Sequence, residues 1–130
     1  MHWSLSDIID HERAPLHDAA FIAGCKRTLD ADGALVLPQF LTPAAVAAVQ
    51  RDGADQQHLA YYTVGKHNIY LRPADPTLAV DHPRNREVSS SKGCITTDQI
   101  PAGSVLRALY DAPQFRAFVC AVLGEAALYA

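Results

Sequence analysis

The chain has 130 residues, 49% apolar and 19% charged, which is material for a packed interior and unlike the composition of a disordered segment. A length of this order buries about 68% of the unfolded surface, so one domain over residues 1–130 is expected. Fourteen acidic against eleven basic side chains give a net charge of -3 without a polybasic run, which argues against nucleic acid or an anionic membrane as main partner.

In chain order, Phe21, Cys25 and Leu29 recur at the four-residue spacing of one helical face and predict a helix over about 15–30, stopped by Asp32-Gly33. Ala34-Leu35-Val36-Leu37 is a continuous apolar run closed by Pro38, the pattern of a short central strand buried on both faces. Thr42-Pro43 is a helix start, with Ala45, Val46, Ala48 and Val49 on the apolar side and an end near His58. Tyr61, Tyr62, Val64, Ile69 and Tyr70 predict strands broken by a turn at Gly65. Alternation in His67-Asn68-Ile69-Tyr70-Leu71 predicts that this stretch lines one half-buried sheet face.

Residues 73–91 are rich in Pro, Asp, Ser and Arg without periodicity and read as a long loop, in which Ser89, Ser90 and Ser91 serve turn chemistry. Ser104 is the expected N-cap of a short helix bearing Leu106, Leu109 and Tyr110, and Asp111 opens the next. Phe115, Phe118, Val119, Val122 and Leu123 follow the i, i+3, i+4, i+7, i+8 pattern, with Gly124 as the stop. Residues 126–130 are apolar without a polar tail, which predicts an interrupted chain. The sum is an α+β fold with helices packed on a small mixed or antiparallel sheet.

No apolar stretch approaches the roughly 20 residues that span a bilayer and the first residues lack a signal-peptide pattern, so a cytoplasmic location is expected. Cys25, Cys94 and Cys120 are an odd set without a C-x-x-C pair and are expected as buried thiols.

A mononuclear non-haem iron site takes two histidines and a carboxylate, usually with an H-x-D/E pair on a strand. His2, His11, His17, His58, His67 and His82 are followed two positions on by Ser4, Arg13, Ala19, Ala60, Ile69 and Arg84, so the motif is absent. His11-Glu12 and His17-Asp18 are neighbours that point about 100° apart on a helix and cannot easily share one ion. Ser89, Ser90, Ser91 or Cys94 with His67 or His82 are the nucleophile–base candidates, in an order that signals no hydrolase. Arg72, Arg84, Arg86 and Lys92 surround the long loop and could hold a carboxylate or phosphate, although Asp75, Asp81 and Glu87 lie among them.

The run from Asp32 to Pro38, followed by Phe40-Leu41-Thr42-Pro43, resembles a common opening of Fe(II)/2-oxoglutarate-dependent oxygenases. His67-Asn68-Ile69-Tyr70, Ser90-Ser91-Lys92-Gly93, Asp98-Gln99-Ile100-Pro101 and Leu106-Arg107-Ala108-Leu109-Tyr110 follow in the order of the bacterial amino-acid hydroxylase and halogenase branch. The resemblance covers about residues 30–129. It implies the N-terminal portion of a double-stranded β-helix (jelly-roll) oxygenase, a dioxygenase of amino acids or similar small molecules, ending before the iron motif. Fe(II) and 2-oxoglutarate are the cofactors it implies, and with no matching ligand positions neither is expected to bind this chain alone.

His67, Asn68, Tyr70, Arg72 and Lys92 are the candidate substrate-contacting residues, and no catalytic or metal-binding residue is assigned. The expected partner is either the rest of such an oxygenase or another copy through an exposed sheet edge. A stand-alone interaction module using that edge is the competing class.

Overall fold

A computed structural model describes residues 2–129. The fold class is α+β, with five α-helices and one two-stranded antiparallel sheet among the described residues. The chain gathers into two compact units, Met1–Asp55 with Ile100–Ala130, and Gln56–Gln99.

The first unit starts with a single helical turn, α1 (Leu5–Ile8), closed by a capping box. The Ser4 hydroxyl accepts from the Asp7 amide (3.3 Å), and the Asp7 carboxylate accepts from the Ser4 amide (3.0 Å). This turn places Ile8 and Ile9 in the core, and Ile9 bridges antiparallel to Leu41. The bridge is flanked by hydrogen bonds from the Asp10 amide to the Phe40 carbonyl (3.0 Å) and from the Thr42 amide to the Ile8 carbonyl (2.9 Å).

α2 (Ala19–Asp32) begins four residues later than the apolar spacing alone predicts. The Asp18 carboxylate accepts from the Phe21 amide (2.6 Å) and fixes the start there, while residues 15–18 form a separate turn. Gly33 ends the helix at φ 69°, a left-handed conformation that favours glycine.

Residues 34–37 form no strand, contrary to the sequence reading. Leu35 and Leu37 pack against the core while Val36 is 79% exposed, so the run is extended with alternating burial and no ladder partner. Four apolar residues in a row overstated the burial, because only every second side chain of an extended chain faces one way.

α3 (Pro43–Gln56) starts as expected, with the Thr42 hydroxyl accepting from the Ala45 amide (3.2 Å) and Ala45 and Ala48 buried. α4 (Val105–Asp111) is capped by Ser104, whose hydroxyl accepts from the Leu106 amide (3.2 Å). Asp111 closes α4 instead of opening the next helix. α5 (Pro113–Leu123) follows after Ala112, with proline at its first position and Gly124 at φ 74° as its stop. Phe118 and Val122 of α5 are buried, and the Phe118 ring stacks on Phe21 of α2 with centroids 6.0 Å apart. Cys25 joins this core as expected, whereas Cys94 is exposed and Cys120 half-buried, so burial of all three thiols does not hold.

The second unit is a hairpin with a long connection. β1 (Tyr61–His67) pairs antiparallel with β2 (Val88–Cys94), from Tyr61 opposite Cys94 to His67 opposite Val88. β1 runs through Gly65 without the expected break. Ser89, Ser90 and Ser91 lie in β2 and not in a turn, because the ladder with β1 supplies their backbone partners. The expected alternating strand over 67–71 stops at His67. Asn68 captures the chain into a turn, and Leu71 takes φ 53° with its amide bonded to the Asn68 carbonyl (3.1 Å).

Candidate functional site

The five candidate residues all fall within Gln56–Gln99. Asn68 is only 2% exposed, and both polar atoms of its side chain bond within the turn. Its Oδ1 accepts from the amides of Tyr70 (3.0 Å) and Arg72 (3.4 Å), and its Nδ2 donates to the Arg72 carbonyl (2.6 Å). Asn68 thereby positions the backbone that carries Tyr70 and Arg72, an Asx-type closure.

Tyr70 projects from this turn and receives the Arg84 guanidinium, 4.6 Å from its ring centroid. Arg84 comes from the connection between the strands, which Asn85 organises. The Asn85 Oδ1 accepts from the Asp75 amide (2.7 Å), and its Nδ2 donates to the carbonyls of Asp75 (2.8 Å), Ala79 (3.1 Å) and Leu78 (3.3 Å). Sequence reasoning missed Asn85. The available signal was an asparagine in an aperiodic stretch rich in Pro and Asp, where such side chains bind their own backbone.

The Asp75 carboxylate accepts from the Thr77 hydroxyl (2.6 Å) and amide (2.9 Å). Those hydrogen bonds hold its pKa below the ordinary carboxylate value, with smaller help from the Arg84 and His82 charges. Arg84 itself keeps a buried Nη1 without a hydrogen-bond partner, beside the Tyr70 face.

Lys92 stands apart from this cluster. It lies opposite Thr63, four ladder positions from the His67–Val88 level, or about 13 Å at 3.3 Å per residue. Lys92 and His67 share a face, since directly opposed residues and alternate residues point the same way. Ser91 belongs to the other face with Tyr62, Val64 and Lys66, so ladder parity separates it from His67. Cys94 shares the face of His67 but lies six positions away, about 20 Å along the ladder. The ladder therefore assembles no Ser91–His67 or Cys94–His67 nucleophile pair, and of the three serines Ser90 alone shares the face of His67, two ladder positions away opposite Gly65.

Iron does not fit these residues. Among the described residues no group of three His, Cys, Asp or Glu side chains stands close enough to hold a metal ion. No described helix is long and apolar enough to cross a membrane.

What the hairpin can do chemically is offer backbone and aromatic surface. Tyr61, Tyr62, Val64 and Val88 are exposed, and a two-stranded sheet leaves both outer edges unpaired. The two strands carry Lys66 and Lys92 and no acidic residue. A cleft of about 450 Å³ in the other unit is lined by Trp3, Leu5, Arg107, Asp111 and Gln114 among others, and Arg107 there donates to the Ile100 carbonyl (3.0 Å). No protein-family model, curated protein or solved structure matches the chain.

Proposed function

We propose that this chain forms the front portion of an Fe(II)/2-oxoglutarate-dependent oxygenase of the amino-acid hydroxylase and halogenase kind. In this reading the hairpin of β1 and β2 extends the sheet of a jelly-roll barrel, and the iron ligands come from polypeptide outside these 130 residues. The turn at Asn68 then presents Tyr70 and Arg72 toward a small substrate, and Lys92, four ladder positions away, lies outside that contact. The observation that carries the reading is the hairpin itself. It exposes large side chains on both faces and unpaired backbone on both edges, and a two-stranded sheet is marginal until further strands or helices cover it. The resemblance of the sequence segments from Asp32 to Tyr110 to that family is what suggests the oxygenase.

The test is succinate release from 2-oxoglutarate with Fe(II) present. The 130 residues alone should release none, and the same chain extended through a downstream H-x-D or H-x-G motif should release it. Iron-dependent release by the 130 residues alone contradicts the reading.

A second reading is an interaction module in which a strand edge pairs with another polypeptide. The unpaired outer edges of the two-stranded sheet favour it, with the exposed side chains of Tyr61, Tyr62 and Val64 along β1.

A further inference from the structure

We infer that β1 pairs antiparallel with β1 of a second copy about a two-fold axis at Val64, joining two hairpins into one four-stranded sheet. The inference rests on the module reading and deepens it by naming the edge, the register and the occupant.

The sequence of β1 is self-complementary in that register. Turning Tyr61–His67 on itself about Val64 sets Tyr62 opposite Lys66, Tyr61 opposite His67, Thr63 opposite Gly65, and Val64 opposite its own copy. Directly opposed residues project from the same face, so each Lys66 ammonium meets the exposed ring of Tyr62 from the other copy. The Tyr62 ring leans over Gly93 on β2, with Cε1 within 2.7 Å of where a Cβ would stand, so it does not cover the outer edge of β1. The two lysines of the pairing lie four positions apart along the ladder, about 13 Å, beyond the screening length at physiological salt.

The other edge lacks this fit. A two-fold axis at Ser91 would set Lys92 opposite Ser90 and bring the two Lys92 side chains into diagonal neighbourhood, about 7–8 Å apart, as like charges. Pairing β1 with β2 of another copy is head-to-tail and generates a ring or an open filament instead of a two-fold pair. Four strands also answer the marginal stability of two.

The experiment uses the full chain in a Cys94→Ser, Cys120→Ser background, which leaves the buried Cys25. Directly opposed strand residues stand at a Cα separation that a disulfide accepts, so Val64→Cys should link two copies when diamide is added, and Ser91→Cys should not. Sedimentation velocity should give twice the monomer mass without any introduced thiol. Lys66→Glu should weaken that association about tenfold through two lost cation–π contacts, while Lys66→Arg keeps it. Unchanged association of Lys66→Glu overturns the register. Linking through Ser91→Cys but not Val64→Cys overturns the inference and leaves the module reading standing. A monomer that links through neither overturns the inference and leaves the module reading with a different polypeptide at the edge.

Discussion

The ring of Tyr62 lies directly over Gly93 across the hairpin, and a Cβ at position 93 would meet Tyr62 Cε1 at 2.7 Å and Cζ at 2.9 Å. Glycine is favoured there by this contact and not by backbone conformation, since only Gly33 and Gly124 take positive φ among the glycines. Gly93→Ala should push the ring aside and cost the hairpin about 1 kcal/mol, the scale of one cross-strand pair. In a Tyr62→Ala background the same substitution should cost little. Amide hydrogen exchange in β1 and β2 across the four-variant cycle checks this coupling.

Asn85 holds the connection between the strands through one acceptor and three carbonyl-directed contacts. Asn85→Ala leaves the Asp75 amide and the carbonyls without that partner and should cost about 1–3 kcal/mol locally. Asn85→Asp should be worse, because a carboxylate oxygen would then face the carbonyls of Asp75, Leu78 and Ala79. Limited proteolysis within residues 73–87 reads both effects.

The Thr77 hydrogen bonds lower the folded-state pKa of Asp75 from the ordinary 3.8. The sign follows from linkage. The contribution is fully present above the unfolded value near 3.8, and it is lost as pH falls below that value through the folded pKa. Carboxyl NMR titration should find Asp75 below the ordinary value, and Thr77→Val should move it back toward 3.8.

Phe118 and Val36 separate real core from apparent core. Phe118 is 4% exposed and stacked on Phe21, so Phe118→Ala should destabilise the first unit by about 3–5 kcal/mol. Val36 is exposed, and Val36→Ser should stay within about 0.5 kcal/mol. Urea melts of the two variants test the contrast. Equal losses would restore the buried strand that the apolar run suggested.

That contrast also marks what was legible in the sequence. The body and end of the last helix could be read from the apolar period through Val122 and the stop at Gly124, while its start was read at Asp111 and lies at Pro113. Ser104 and Thr42 were readable as caps for the same local reason. Residues 34–37 were not, since an apolar run says nothing of whether a partner strand exists. The strand at 88–94 was hidden because three serines and a glycine carry turn propensity, and pairing with β1 across a 20-residue connection overrides it. Within the candidate site, Tyr70 and Arg72 were visible as residue types. Placement of Arg84 over Tyr70 depends on the Asn68 turn and the Asn85 hub, both tertiary arrangements of side chain with backbone.

On the proposed reading the β1–β2 hairpin belongs to an oxygenase whose iron ligands lie outside these 130 residues. The most direct measurement is the messenger sequence past codon 130. The frame should stay open and encode an H-x-D or H-x-G motif with a second histidine further on. A stop codon directly after codon 130, on a transcript with no such motif in frame, would contradict it.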